Sequence, residues 1–178
     1  IALIPIALSS RPAPLFEEPQ PISLKRLFVI SPSGLIYSFG SGMTASIVLG
    51  LGAVYATQIG LPLAQISTFM AVYLLGGVLF QIPVGWFSDL YDRRIILISI
   101  CFLSGVFSLG CFFAVSGSLL FYLSFFLVGG FSLAMYGQCL AHTNDHISPH
   151  HYVAAGSSLI LVNGVGAAIG PLFASVSM

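Results

Sequence analysis

The sequence has 178 residues with only five basic and five acidic side chains, so 6% of it is charged, against about 25% in an ordinary soluble domain. Hydrophobic residues make up 57% of the chain, and its mean hydropathy is +1.04. So few charges cannot cover the surface of a soluble globule, and there is no basic patch for binding nucleic acid. The composition excludes both classes and predicts an all-α protein whose main partner is the lipid bilayer.

The charged residues form three groups separated by long uncharged segments. These segments are residues 27–88, 95–144 and 146–178. A helix needs about 20 apolar residues to cross a bilayer, so the segments predict two, two and one transmembrane helices. Turn signals at 60–62 and 116–118 divide the first two. The predicted helices span residues 32–58, 65–87, 94–115, 119–141 and 149–176.

The number of crossings predicts the topology. An even number of helices separates the three charge groups, so all the charges should lie on one side of the membrane. That side also holds every Lys and Arg, and the positive-inside rule makes it cytoplasmic. The loops on the opposite side carry no charge.

The first 31 residues precede the predicted bundle. Residues 1–8 are apolar but too few to span, and we expect them to be the end of a preceding transmembrane helix. Residues 9–31 are polar and proline-rich, a composition typical of an extended cytoplasmic linker. Within this linker, residues 23–28 predict either a short amphipathic helix on the membrane surface or a plain solvated tether.

The most informative motif lies between the second and third predicted helices, at residues 85–94 (GWFSDLYDRR). It resembles the loop signature of the major facilitator superfamily, in which a glycine, an aspartate and two basic residues recur at fixed spacing. The matching positions here are Gly85, Asp89, Arg93 and Arg94. Asp92 stands where the family often has glycine, although aspartate also tolerates turn conformations.

This resemblance implies a cytoplasmic gate. Gly85 would allow two helices to approach closely, while Asp89 would face the positive N-terminal end of a neighbouring helix and pair with Arg93. Such a contact forms when the cytoplasmic side is closed and breaks when it opens. The alternative is that the loop is a hairpin that only sets the topology.

The last predicted helix carries a second, partial resemblance. Gly166, Gly170 and Pro171 match part of the glycine-proline motif that many exporters of this family have in their fifth helix. Small residues allow close helix contact and the proline permits a bend. Ordinary tight packing with a kink explains the same residues without any link to export.

The resemblance also implies which part of a transporter this is. An apolar tail followed by a charged linker favours helices 7–11 of twelve, so residues 32–178 would form the C-terminal transmembrane half without its last helix. The segments 141–146 and 153–158 are similar to the C-terminal half of a group of bacterial family members. These proteins are classed as transporters only because they belong to the family. We therefore expect an inner-membrane protein whose partner is the missing N-terminal half.

Four histidines follow the fourth predicted helix, at positions 142, 146, 150 and 151. The intervening Ser148-Pro149 pair breaks the helix, and no dependable further ligand is nearby. We expect no metal, with a capping or hydrogen-bonding loop favoured over a pH-sensitive gate. No phosphate loop, Ser-His-Asp arrangement or CxxC motif is present, so we expect neither a cofactor nor an enzyme.

Substrate contacts must come from uncharged polar groups, because the predicted helices have no ionisable residue at mid-depth. The candidates for the translocation pathway are Asn163, Thr44 and Gln138, each of which has interhelical hydrogen bonding as its alternative role. The sequence thus predicts alternating-access transport of a small solute. The alternatives are a non-transporting structural or assembly subunit and, less favoured, a metal-binding membrane sensor built on the histidine loop.

Overall fold

A computed structural model describes residues 21–177, which are almost entirely helical. In chain order the elements are α1 (Leu24–Ile30), α2 (Pro32–Ser46), a π-helical turn (Ile47–Leu51), α3 (Gly52–Gln58), α4 (Leu63–Leu90), α5 (Arg93–Phe113), α6 (Leu119–Asn144), a 3-10 turn (Pro149–His151) and α7 (Tyr152–Ser177). In the described range, five spans are long and apolar enough to cross a membrane, with α2, the π turn and α3 together forming the first. The predicted all-helical fold with five transmembrane helices is confirmed.

The helix ends differ from the predicted bounds by a few residues. The second span, predicted at 65–87, is Leu63–Leu90, and the fourth, predicted at 119–141, continues to Asn144. The fifth, predicted to start at Pro149, begins there with a 3-10 turn that precedes α7, as is common at helix N-termini.

Both predicted turns form, and each depends on a glycine with positive φ. Gly60 (φ 77°) and Gly117 (φ 79°) adopt the left-handed conformation that glycine reaches without a Cβ clash. After the second turn, the hydroxyl of Ser118 accepts a hydrogen bond from the Phe121 N–H at 3.2 Å. This N-cap starts α6 by satisfying one of its free backbone donors.

Helix α6 is the centre of the described bundle. It packs against α4, α5 and α2, whereas α7 packs mainly on α2. Twelve residues of α6 are buried, compared with three of α5. The outer surface of the bundle is strongly apolar, with Ile82 and Leu119 more than 80% exposed, as expected for side chains that face lipid.

Glycines let two helix pairs approach at backbone distance. A Cβ at Gly76 of α4 would overlap the carbonyl oxygen of Phe126 in α6, and one at Gly129 of α6 would overlap that of Tyr73 in α4. The α2–α7 pair repeats this reciprocal arrangement through Gly42 and Gly166. Close backbone packing replaces the hydrophobic driving force that is absent within a membrane.

Helix α1 is anchored to the bundle, which contradicts the plain solvated tether, whereas its place on the membrane surface remains a prediction. Leu27 is fully buried and packs with Leu35 of α2 and Leu159 of α7, and Ile147 of the α6–α7 loop packs against the same cluster. The segment is therefore a docked helix and not a free tether. The prediction for residues 1–8, and that for the first part of the linker, lie outside the described residues.

The described charges gather at one end of the bundle, as the crossing count predicts. Lys25 and Arg26 directly precede Leu27, which packs near Ile147 of the α6–α7 loop, and Arg93 contacts Asp145 of that loop at 2.8 Å. We call this end, with Lys25, Arg26, residues 89–94 and Asp145, the charged end.

Candidate functional site

The site is built around the short connection between α4 and α5. Asp92 is the N-cap of α5, and its carboxylate accepts a hydrogen bond from the Arg94 N–H at 2.8 Å. A carboxylate is well suited to this position because it satisfies a free donor and faces the positive end of the helix dipole. Asp92, the departure from the family pattern, therefore has a local structural role.

Asp89 and Arg93 form the predicted ion pair across this connection. The guanidinium donates to the Asp89 carboxylate at 3.0 Å. The Asp89 side chain is 69% exposed and that of Arg93 27%. Asp89 therefore presents an oriented but accessible carboxylate on the surface of the charged end.

Arg93 also contacts a second carboxylate, on a different helix. Its Nε lies 2.8 Å from Asp145 Oδ2, and Asp145 is the C-cap residue of α6. Arg93 lies at the positive N-terminal end of α5 and Asp145 at the negative C-terminal end of α6. Each charge is therefore repelled by the dipole of its own helix, at a cost of about 0.3–1 kcal/mol. The antiparallel packing of α5 and α6 brings the two together, so each offsets the other's local cost. We call the three residues Asp89, Arg93 and Asp145 the latch.

A polar cleft of about 530 Å³ surrounds the latch. Besides the latch residues it is lined by Ser88, Tyr91, Asp92, Arg94, His142 and His146. Arg94, the last residue of the predicted gate motif, is exposed here. Ser88 is only 2% exposed, and its hydroxyl has no hydrogen-bond partner. The site is therefore a polar, open cleft, which suits a surface whose contacts with another part of the protein form and break.

Two side-chain bonds tie the start of α2 to the end of α6. His142 Nε2 lies 2.9 Å from Ser33 Oγ, and the hydroxyls of Ser31 and Thr143 are 3.2 Å apart in a buried contact. His142 thus acts in helix packing beside the latch. Within the described range, no three His, Cys, Asp or Glu residues converge as metal ligands do, so the geometry gives the sensor alternative no support.

Gly85 makes no close helix contact among the described residues, and its predicted packing role remains a prediction. A Cβ at this position would meet no atom within 4 Å. Helix α4 packs on its neighbours through buried positions such as Val84 and Ser88. Gly85 lies beside this buried face, so its Cα hydrogens point away from the packed helices. Any close approach at Gly85 would have to involve chain beyond the described residues.

The glycines of α7, in contrast, make close contacts with α2. A Cβ at Gly166 would overlap the Phe39 carbonyl oxygen, and one at Gly170 would lie 2.7 Å from that of Met43. Both glycines therefore bring α7 against α2. Pro171 lies inside α7, and its predicted bend remains a prediction.

The three pathway candidates have different environments. Asn163 donates from Nδ2 to the Ser38 carbonyl of α2 at 2.9 Å, which is the interhelical alternative. Thr44 donates to the Gly40 carbonyl of its own helix at 2.6 Å. Gln138 is 8% exposed and its Oε1 has no partner. Their role in the pathway remains a prediction.

Sequence reasoning missed the partnership of Arg93 with Asp145. The signal for it was available, since Asp145 is the only charged residue after Arg94 and the crossing count places both on the same side. The crossing count gives the side of the membrane but does not say which helices are neighbours. Only the packing of α5 on α6 shows that the two residues meet.

Comparisons with known proteins agree with this geometry. The family model of the Major Facilitator Superfamily matches residues 33–178. The chain is 28% identical over 138 residues to an uncharacterized MFS-type transporter, Ent638_1421, of Enterobacter sp. strain 638. It is equally similar, over 144 residues, to the uncharacterized MFS-type transporter YcaD of Salmonella arizonae.

Each alignment covers 78% of this chain and 35% of the relative, so the chain spans about a third of the length of the curated relatives it matches. No solved structure matches it significantly.

Proposed function

The chain belongs to the Major Facilitator Superfamily, and from this premise we propose that it forms part of a secondary transporter that moves a small solute by alternating access. The family is one of transporters and not of enzymes, and the apolar spans make the chain a multi-pass integral protein of the bacterial inner membrane. In this proposal, residues 32–178 supply helices seven to eleven. The N-terminal half of the transporter would be the partner that completes the pathway.

The latch is the observation that carries the proposal. Arg93 contacts Asp145 at 2.8 Å and Asp89 at 3.0 Å, so the exposed Asp89 carboxylate is held in place from a packed helix pair. All three residues lie in one half of the proposed transporter. The latch therefore does not itself bridge the halves, and in this proposal it holds Asp89 for a contact with the other half.

Closure of the cytoplasmic side would place Asp89 against the positive N-terminal end of a helix in the other half. Opening would break that contact while the latch stays intact. The site would then gate by a rigid-body movement of one half against the other, which is the usual mechanism of such transporters. A topology-setting hairpin alone would not require Asp89 to be held in a fixed direction by a second helix.

The proposal assigns any proton coupling to the other half. The stretches 27–88 and 95–144 contain no Asp, Glu, Lys or Arg, and proton relays through membranes depend on ionisable side chains. The solute and the direction of transport are left open by this proposal.

Transport by the complete protein tests the proposal. The gene, with the coding sequence that flanks this chain, is expressed and reconstituted in proteoliposomes loaded with a library of small solutes. Mass spectrometry then follows the loss of each solute with time. We expect at least one solute to leave faster than from protein-free liposomes, and to do so more slowly with Arg93→Gln. If no solute moves, although the protein is folded and inserted, the structural-subunit alternative replaces the proposal.

A further inference from the structure

Asp145 of the latch lies between two attachments to the start of the first span. Two residues before it, the hydroxyl of Thr143 lies 3.2 Å from that of Ser31. Two residues after it, Ile147 packs against the apolar cluster that contains Leu27. Leu27 is part of α1, and Ser31 is both the C-cap of α1 and the N-cap of α2. The backbone around Asp145 is therefore attached on both sides to the joint between α1 and α2.

Two side-chain contacts hold the last turn of α6 against this joint, and we call their four residues, Ser31, Ser33, His142 and Thr143, the clasp. The second contact joins His142 Nε2 to Ser33 Oγ at 2.9 Å. Ser31 and Thr143 are buried, so water does not compete for their hydrogen bond, which is stronger than it would be in water. Gly34 permits the close approach, since a Cβ there would overlap Thr143 Oγ1.

The ion pair of the latch does not by itself explain why Asp145 stays within reach of Arg93. Exposed ion pairs stabilise a protein little, because ordering two long side chains costs conformational entropy. The dipoles of α5 and α6 also disfavour both charges. Asp145 is the C-cap of α6, and helix ends fray. The carboxylate therefore needs a further restraint, and the two attachments to the α1–α2 joint provide one.

We propose that the joint between α1 and α2 positions Asp145 to bind Arg93, so that the latch stays formed while α1 is docked. The clasp residues and Leu27 are positioning residues, which act on the latch through Asp145. A shift of the segment that precedes α2 would therefore reach the latch. The consequence for gating rests on the proposed function, whereas the positioning of Asp145 does not.

The strength of the Arg93–Asp145 contact tests the proposal in the complete protein. A double-mutant cycle of Arg93→Gln and Asp145→Asn gives the factor by which the pair changes the unfolding constant in mixed micelles, about two- to fivefold for a partly exposed pair. The cycle is repeated in Ser31→Ala. Ser31 makes no side-chain capping bond to α2, so this variant removes the contact with Thr143. We expect the factor to fall to about one, as for charges that do not interact.

Ser38→Ala is the matched control. Ser38 is also buried and also ties α2 to another helix, because its hydroxyl donates to the Leu159 carbonyl of α7 at 3.0 Å. It should lower the free energy of unfolding about as much as Ser31→Ala does, but it should leave the Arg93–Asp145 factor unchanged. An unchanged factor in Ser31→Ala would overturn the proposal. So would an equal fall in both variants, because the loss would then reflect general loosening.

Two further variants keep the test decisive if Ser31→Ala does not fold. Ser33→Ala removes the less buried contact of the clasp, and Leu27→Ala weakens the docking of α1 while the clasp residues stay in place. Each should lower the Arg93–Asp145 factor. A factor that is unchanged in both variants would overturn the proposal, and one that is unchanged only in Leu27→Ala would contradict the role given to α1.

Cytoplasmic accessibility distinguishes a failure of this inference from a failure of the proposed function. The readout is the rate at which an impermeant maleimide labels a cysteine at an exposed position of α7, introduced by Ser157→Cys. Ser31→Ala should raise this rate in the protein with Asp89 but not further in Asp89→Asn, because it acts through the latch. Equal increases in both backgrounds would overturn the inference. If Asp89→Asn alone has no effect, the proposed function fails, and the double-mutant cycle still decides whether the joint positions Asp145.

Discussion

Arg93, the first residue of α5, and Asp145, the C-cap of α6, lie 2.8 Å apart although each has the wrong charge sign for the end of its own helix. Local preferences alone would place neither residue where it is. Conflicts between local preference and the observed structure are expected at functional sites. The pair therefore marks the charged end as more than a solvated loop.

The Arg93–Asp145 pair predicts an energetic coupling between α5 and α6. In a double-mutant cycle of Arg93→Gln and Asp145→Asn, we expect a coupling of about 0.5–1 kcal/mol, because both side chains are partly exposed. Unfolding with sodium dodecyl sulfate in mixed micelles measures it. Because the cycle subtracts the effect of each single substitution, the loss of the Arg93–Asp89 contact does not contribute to the measured coupling. Purely additive effects would mean that the two charges do not interact.

The N-cap at Asp92 predicts a graded series of stabilities. Asp92→Ala should lower the free energy of unfolding by about 1 kcal/mol, because the Arg94 N–H loses its acceptor. Asp92→Asn keeps an acceptor and should change it by only a few tenths, and so should Asp92→Gly, the residue frequent in the family. The same unfolding assay measures all three. Equal losses for Ala and Asn would argue that the charge, and not the cap, matters.

Two glycines of α6 should respond in opposite ways to the same substitution. Gly129→Ala places a methyl group on the Tyr73 carbonyl of α4, so we expect a loss of about 1–3 kcal/mol from overpacking. Gly137→Ala is the matched control, because no described atom lies within 4 Å of its Cβ and alanine is the better helix former. If both variants were equally stable, the α4–α6 contact would be looser than the structure indicates.

Gly85 predicts a contact with the missing half. Gly85→Leu should not lower the free energy of unfolding of this half, since its Cβ points into open space among the described residues and leucine is the better helix former. It should nevertheless reduce transport by the complete protein, because the exposed face of α4 would no longer close. Gly105→Leu, at an equally open position of α5, is the control for added bulk. Full transport by Gly85→Leu would show that this face makes no close contact.

The sequence was sufficient for the fold because its strongest signals are one-dimensional. The charge groups, the uncharged segments and Gly60 and Gly117 follow directly from the order of residues. The Asp89–Arg93 pair is predicted by the resemblance to the family's loop signature and not by helical spacing, because α4 ends and α5 begins between the two residues. The crossing count added the shared side of the membrane.

Lateral contacts could not be predicted in this way. Asp145, Ser33 and His142 meet their partners through the packing of α6 on α5 and α2, which no periodicity in the sequence specifies. The direction of Gly85 also depends on which face of α4 is buried.

Cytoplasmic accessibility in Asp89→Asn tests the central claim most directly. A single cysteine replaces Ser157, an exposed residue near the charged end of α7, in a variant of the complete protein without native cysteines. An impermeant maleimide labels it from the cytoplasmic face of inverted vesicles. Asp92→Asn is the control, since it removes a charge from the same connection but keeps the latch.

We predict that Asp89→Asn raises the labelling rate, by about tenfold for each 1.4 kcal/mol of lost closure, whereas Asp92→Asn leaves it unchanged. Equal labelling rates in the Asp89→Asn variant and the unsubstituted protein would contradict the proposal that this carboxylate holds the cytoplasmic side closed.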